Sequence, residues 1–475
     1  AHTAAGKHIR FPPGRYLISA AITFPSYTDV TLIGEGPNAS MLVTATNSIS
    51  MISITGLAAR IAIKHLWIGS LSARTGVTGI SIVGTSSASP CSAIRIEDVV
   101  IQNVNTPMVW TDVHQSSTKR MSIVHSIAGG VTGVGVTFKG VITCLVEDLM
   151  VLATTTTFGD DNIRVDQDCD SIVLEAVTIY GGTTGHGIRF MNTAGTTGPR
   201  LTRAHNCYVE LCSLDGYTVD AGRDIRIQGC HSALNRSGYH VSGGDSIVVS
   251  DCLAYVNNQH GFNIDGGTGT AVLGCTASNN GQTTDATYSG IRVENNVTHC
   301  RVIGNRSGNF ITATANEQLY GISIGATSTD YIVCKDNDGE GNTASSVISF
   351  SSGANNDLDI EATYTTTLTG FATPPTGTAR YRREGRHVSI YFPAITGTSN
   401  ATTCTLTGMP VEIRPLRNQG FLLLIEDNGV LAFGWGVVAT SGVITLYPSS
   451  QLNASGWTAS GTKTLIEQAV NFSLD

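Results

Sequence analysis

Short bursts of strict apolar–polar alternation recur along the chain, each opened by a glycine or an asparagine. Asn162-Ile163-Arg164-Val165-Asp166, Gly187-Ile188-Arg189-Phe190-Met191, Gly216-Tyr217-Thr218-Val219-Asp220 and Gly238-Tyr239-His240-Val241-Ser242 share this form. So do Gly261-Phe262-Asn263-Ile264-Asp265, Gly290-Ile291-Arg292-Val293-Glu294 and Gly321-Ile322-Ser323-Ile324-Gly325. In each, an apolar pair alternates with a second pair facing the other way, the period of a half-buried strand. Between them lie shorter β-branched runs, such as Ile225-Arg226-Ile227, Ile247-Val248-Val249 and Ala271-Val272-Leu273, each followed by a turn containing Gly, Asp or Asn.

A second regularity runs through the same region. Cys207, Cys230, Cys252 and Cys275 recur at steps of 23, 22 and 23 residues, and Asn235, Asn257 and Asn280 stand five residues after the last three of them. A residue type returning at such a step marks a repeat architecture. Two or three strands per turn without a helical period predict a right-handed parallel β-helix, whose turns must stack because one turn cannot bury its own apolar face. The cysteines are expected to form one interior file of small apolar side chains, and the asparagines a ladder in a turn, each bonding the next rung.

The period fades after Cys334. The run Leu368-Thr369-Gly370-Phe371-Ala372-Thr373-Pro374-Pro375-Thr376-Gly377-Thr378 reads as turn and linker. Alternating segments at 386–392, 420–426, 430–438 and 443–447 follow it. The expected organisation is all-β: a parallel β-helix over 1–365, a linker over 366–378, and an antiparallel β-sandwich over 379–475.

Composition narrows the function classes. Charged residues are only 13% of the 475, while 41% are hydrophobic, so a large core can form and a disordered chain is excluded. A net charge of −8 and the lack of a basic run argue against nucleic acid. No apolar stretch approaches the ~18 residues of a membrane span. Eleven cysteines cannot all pair within the chain, and none has the spacing of a zinc site; no metal or other cofactor is implied.

Against this charge-poor background one strand face is conspicuous. Its outward positions, rung by rung, are Arg164/Asp166, Arg189/Met191, Thr218/Asp220, His240/Ser242, Asn263/Asp265, Arg292/Glu294 and Ser323/Gly325. An elongated polar face suits an extended polysaccharide. Rungs lie about 4.8 Å apart, which sets Asp265 beside Glu294 near the ~5–5.5 Å of a retaining carboxylate pair, and places Asp220 two rungs from Asp265, toward the ~6.5–9.5 Å of an inverting pair. Carboxylates so close are expected to separate in pKa into an acid and a base. Asp220, Asp265 and Glu294 are therefore the candidate catalytic residues for glycosidic cleavage. Arg164, Arg189, His240, Asn263 and Arg292 are candidates for binding substrate, and Tyr217 and Tyr255 for stacking on sugar rings. The competing reading of the carboxylates is that they cap turns at strand ends.

Phe11-Pro12-Pro13-Gly14-Arg15-Tyr16-Leu17-Ile18 and Val30-Thr31-Leu32-Ile33-Gly34-Glu35-Gly36-Pro37 resemble the opening coils of pectate-lyase-like β-helices, as found in bacteriophage tailspike depolymerases. Ile413-Arg414-Pro415 and the run from Trp457 to Lys463 resemble terminal domains of phage tail fibres and spikes. Gly159-Asp160-Asp161-Asn162 and Gly185-His186-Gly187 resemble, over two coils, the polygalacturonase family. That resemblance implies acid–base work for Asp160 and Asp161 with assistance from His186. Together these imply a tailspike that binds and hydrolyses a bacterial capsule or O-antigen polysaccharide. They further imply a homotrimer whose terminal domain trimerises or binds glycan, a location on the extracellular virion tail, and attachment to the baseplate or tail through a region preceding Ala1. The alternatives are a polysaccharide lyase working by β-elimination on a uronate polymer, with His240 as base and Arg292 neutralising the carboxylate, and an adhesin that binds glycan without cleaving it.

Overall fold

A computed structural model describes residues 6–475 except 73, 126–132, 154–158, 182–183, 195–196, 296, 311–315, 326–330, 340, 350–355 and 449–455. Among the described residues the chain is almost wholly β-strand, with one 3-10 turn at Val411–Ile413 and no helix able to cross a membrane.

The alternating bursts form one parallel sheet. Its central rungs are β1 (Ile163–Val165), β2 (Ile188–Phe190), β3 (Tyr217–Val219), β4 (Tyr239–Val241), β5 (Phe262–Ile264), β6 (Ser289–Val293) and β7 (Tyr320–Ile324). Each pairs in parallel with the next, Ile188 opposite Tyr217, Tyr217 opposite Tyr239, Tyr239 opposite Phe262 and Phe262 opposite Ile291. After each rung the chain passes through a second sheet, containing Arg226–Gln228 and Val248–Ser250, and a third, containing His231–Ala233 and Leu253–Tyr255, before returning one coil further on. This is the parallel β-helix expected from the repeat.

The corners explain the turn residues. Between the second and third sheets each coil needs one residue with positive φ, and the chain supplies Asn206 (52°), Gly229 (62°), Asp251 (55°), Gly274 (60°), Gly304 (66°) and Asp336 (55°) in succession. Gly, Asn and Asp are the types that tolerate the left-handed conformation. Inside, each cysteine amide faces the next cysteine sulfur, at 3.4 Å from Cys207 to Cys230, 3.4 Å from Cys230 to Cys252 and 3.5 Å from Cys252 to Cys275. Asn305 then takes over, accepting from the Cys275 amide at 2.8 Å. All eleven cysteines are buried and unpaired. The asparagine ladder forms as expected: Asn235 N–H donates to Asn257 Oδ1 (3.1 Å) and Asn257 Nδ2 to Asn280 Oδ1 (2.9 Å).

At its end the β-helix grafts directly onto the antiparallel part. Strand β8 (Asp357–Thr369) pairs in parallel with Val333–Lys335 through Asp357 and Leu358, then from Asp359 pairs antiparallel with β9 (Thr376–Glu384). The residues read as a linker, 366–378, are instead the end of β8, a tight turn at Gly370 (φ 92°) and the start of β9. The threonines that looked like linker composition are β-branched and pair across the hairpin. Beyond it the strands form a continuous antiparallel ladder around Tyr381, Ile390, Leu406, Ile425, Leu446 and Trp457, with β10 (Gln419–Asp427) and β11 (Val430–Val438) as its long hairpin. The ladder folds back on itself where Gln419 donates its side-chain amide to the Ser473 carbonyl at 2.6 Å, closing a sandwich.

Candidate functional site

Three files of side chains run along the β1–β7 sheet. The second residue of each strand burst gives Arg164, Arg189, Thr218, His240, Asn263 and Arg292. Two residues on, Asp220, Ser242, Asp265 and Glu294 are held in register by amide bonds back to Phe190, Val219, Val241 and Ile264. A third file enters from the preceding turn: Asp161, His186, Asp215, Ser237 and His260.

These files join into one network. Asp161 is fully buried; it accepts from the His186 amide at 3.0 Å and from Arg164 Nε and Nη2 at 2.9 and 2.8 Å. Asp160, at the surface, pairs with the same Arg164 Nη2 at 2.6 Å. Arg189 lies 3.7 Å from Asp161 and donates its Nε to Asp220 at 2.6 Å. Asp220 also accepts from Ser242 Oγ at 2.7 Å. The two constellations proposed separately from the sequence, Asp160/Asp161/His186 and Asp220/Asp265/Glu294, thus stand on one face, with Arg189 as the link.

Asp215 is the hub that sequence reasoning missed. Its carboxylate has no exposed surface and takes Arg236 Nε and Nη2 at 2.9 and 2.5 Å, the Ser237 amide at 3.1 Å and His240 Nδ1 at 3.0 Å. Burial alone would raise its pKa, but the bonds and charges of His240 and Arg236 hold it well below the usual carboxylate range. On its other nitrogen, His240 Nε2 meets Asp265 Oδ1 at 2.9 Å. Burial disfavours charge on His240 too, yet its two carboxylate partners outweigh this and raise its pKa to about 9. Asp265 also receives Asn263 Nδ2 at 3.4 Å, and Arg292 forms an ion pair with Glu294.

Three histidines along this edge have opposite fates. His186 Nδ1 accepts the Asp215 amide at 3.3 Å and contacts Thr218 Oγ1 at 2.7 Å; His260 Nδ1 accepts the Ser289 amide at 3.1 Å. Burial lowers the pKa of both rings, to about 4 for His260, whose Nδ1 also lies 3.2 Å from the Ser289 carbonyl oxygen. Only His240 has a carboxylate on each nitrogen.

Exposure separates two kinds of acid. Asp161 and Asp215 are sealed, whereas Asp220, Asp265 and Glu294 keep 28%, 22% and 27% of their side-chain surface. The open carboxylates can meet a ligand; the sealed ones orient cations. Each open carboxylate has its own cationic partner, so repulsion between neighbouring rungs is offset locally. The arginines and Asn263 lie on the same face.

Two nominated residues do not join it. Tyr217 is fully buried at the end of an aromatic stack, its ring 4.8 Å from that of Tyr239, which in turn lies 4.7 Å from Phe262, and its hydroxyl donates to the His231 carbonyl at 3.2 Å. It belongs to the inward pair of its burst and cannot touch a sugar. Tyr255 lies on the third sheet, around the corner from the polar face. Asp215 and Arg236-Ser237 immediately precede Gly216 and Gly238; extending the burst alignment one residue upstream sets Asp215 in register with Asp161 and His186.

Residues 161–338 match the family described as right handed beta helix region. No curated protein matches the chain. Among solved structures it is similar to the A-module of a mannuronan C-5 epimerase from Azotobacter vinelandii, with 16% identity and a TM-score of 0.53 over 74% of this chain and 89% of that one. It is also similar to the Dettilon tailspike protein, with 12% identity and a TM-score of 0.54 over 96% of this chain and 87% of that one. A third likeness is to pre-mature bacteriophage phi29 gene product 12, with 12% identity and a TM-score of 0.54 over 74% and 51%. At such identities the likeness establishes the fold.

Proposed function

We propose that this chain is a phage tailspike that binds a bacterial surface polysaccharide, capsule or O-antigen, along the β1–β7 face and cleaves it by glycosidic hydrolysis. The observation that carries the reading is the row of half-open carboxylates, Asp220, Asp265 and Glu294, each oriented by its own cation and backed by sealed acids. A sugar chain laid along the stack would meet the cations and the open carboxylates of the rungs from Arg189 to Glu294. The Dettilon likeness spans both parts of the chain, which supports a spike rather than an isolated enzyme module. The test is to incubate the protein with purified capsular and O-antigen polysaccharides and follow new reducing ends together with the ultraviolet absorbance of unsaturated uronates. Reducing ends without absorbance are expected; binding without new ends would overturn the hydrolase.

A second reading, β-elimination on a uronate polymer, draws on the cations of the face: Arg292 would neutralise a sugar carboxylate and His240 would serve as the base. Appearance of the ultraviolet signal would select it.

The spike reading includes a homotrimer carried on the extracellular virion tail. Its support is an uncovered apolar face on the β10–β11 hairpin, where Leu422, Leu431 and Phe433 share one side and Phe433 is 70% exposed. Sedimentation is expected to give three times the 49.8 kDa chain mass, and Phe433→Asp to shift it toward monomer.

A further inference from the structure

We propose that Asp215, His240 and Asp265 form a proton relay, in which sealed Asp215 holds His240 and His240 resupplies the proton that Asp265 delivers to the scissile bond. The inference rests on the hydrolytic reading above, but the arrangement itself is independent of it. Asp265 is the open carboxylate of the three, and the group that meets its Oδ1 is a histidine ring nitrogen. His240 Nε2, 2.9 Å from Asp265 Oδ1, is the group placed to provide it with a proton. Its Nδ1 is fixed at 3.0 Å by a carboxylate that Arg236 grips at two points, so Asp215 stays ionised and does not compete for the proton.

The surroundings single out this histidine. On the Asp215 side it faces Arg236 and neutral His186, whose Nδ1 is 3.6 Å from the carboxylate. One rung back are Thr218 and Asp220; one rung on are Asn263, Asp265 and His260, and beyond them Arg292 with Glu294. His186 Nδ1 meets the Asp215 amide and Thr218 Oγ1, and His260 Nδ1 meets the Ser289 backbone, so neither ring is bonded to a carboxylate through each nitrogen.

The step balances as follows. The proton on His240 Nε2 passes to Asp265 Oδ1, leaving a neutral ring with its Nδ1–H on Asp215. Asp265 gives that proton to the glycosidic oxygen as the bond from the anomeric carbon to that oxygen breaks. Water adds to the anomeric carbon, its proton passes to a second open carboxylate on the face and from there to solvent, and solvent returns a proton to His240. Asp215 and His240 are positioning and supply residues; Asp265 is the catalytic one.

Two measurements test it on the full chain. Histidine side-chain NMR titration, with His240→Gln identifying the resonance, is expected to show His240 titrating near pH 9, and Asp215→Asn to lower that value by about one unit or more. Initial rates on a polysaccharide that the wild type cleaves are expected to fall about 10²-fold or more in kcat for His240→Gln with KM nearly unchanged, since a lost proton donor affects turnover and not binding. The alkaline limb of the kcat profile should disappear in His240→Gln and move to lower pH in Asp215→Asn; thermal unfolding confirms that each variant is folded. A titration near 6.5 in the wild type, or a His240→Gln variant with wild-type kcat and pH profile, overturns the relay alone. A wild type that binds glycan and releases no ends overturns the proposed function, and the relay with it.

Discussion

Two kinds of file run down the same stack and obey opposite rules. In the interior turn, Asn235, Asn257 and Asn280 repeat one residue, and each satisfies its neighbour in the same way. On the β1–β7 face no file repeats itself for long: Arg189 is followed by Thr218, His240, Asn263 and Arg292. A uniform file is a ladder whose hydrogen bonds are all local and equivalent, so it contributes stability and nothing else. A mixed file sets unlike charges one rung apart, where they pair, shift each other's pKa and leave some groups open to solvent. The lesson is that in a stacked coil the chemistry is found where translational symmetry fails.

That contrast can be broken from either side. The largest expected effect is on the mixed face: Asp265→Asn should lower cleavage about 10²–10⁴-fold, equivalent to about 2.7–5.4 kcal/mol of barrier, with a melting temperature close to wild type. Unchanged rates would return Asp265 to the role of a turn cap. Next comes the uniform ladder. Asn257→Ala strands the Asn235 amide and the Ser232 carbonyl in a dry turn, which should cost about 3 kcal/mol or more of stability in urea unfolding. Full stability in that variant would show that the ladder is incidental.

A smaller effect should appear in the pH dependence of stability. His240, with its pKa raised from 6.5 to about 9, stabilises the fold fully below pH 6.5, and that contribution is lost as pH rises through about 9. Buried neutral His260, lowered from 6.5 to about 4, works in the other direction: the fold loses stability as pH falls from 6.5 through about 4. Urea midpoints should therefore peak near pH 6.5, and His240→Gln should flatten only the alkaline side. The smallest expected effect is that of Tyr217→Phe, which removes one buried hydroxyl bond for about 1 kcal/mol and leaves binding and cleavage unchanged. Loss of glycan binding in that variant would contradict its place in the aromatic stack.

The architecture was legible because its determinants are local and periodic. The 22–23-residue step of the cysteines and the succession of Asn, Gly and Asp at one corner each follow from a single coil's geometry. The polar face was legible too, since alternation assigns Arg189, His240, Asp265 and Glu294 to one side without knowledge of the fold. Asp215 was not, because its significance lies in four donors contributed by residues 236–240 of the next coil, and the one mark it carries in the sequence is its register with Asp161 and His186 just ahead of the burst. Tyr217 was misassigned by its hydroxyl, which suggests a wet surface until His231 is seen to meet it inside. The threonine-rich stretch around residue 366 looked like a spacer because its partner strand, Thr376–Glu384, lies beyond a Pro-Pro turn.

Strand β8 has a mechanical meaning. Its first residues belong to the last coil and the rest to the antiparallel hairpin, so the two parts overlap like a lap joint instead of being tied by a cord. Arg383 rivets the overlap, donating at 2.8–2.9 Å to the carbonyls of Asn356, Gly385 and Glu412. The overlap is held by the β8–β9 backbone pairs from Asp359 to Thr367 and not by a free length of chain. The chain leaving the last coil therefore enters the antiparallel part already paired on both sides of the boundary, with no unpaired span between them.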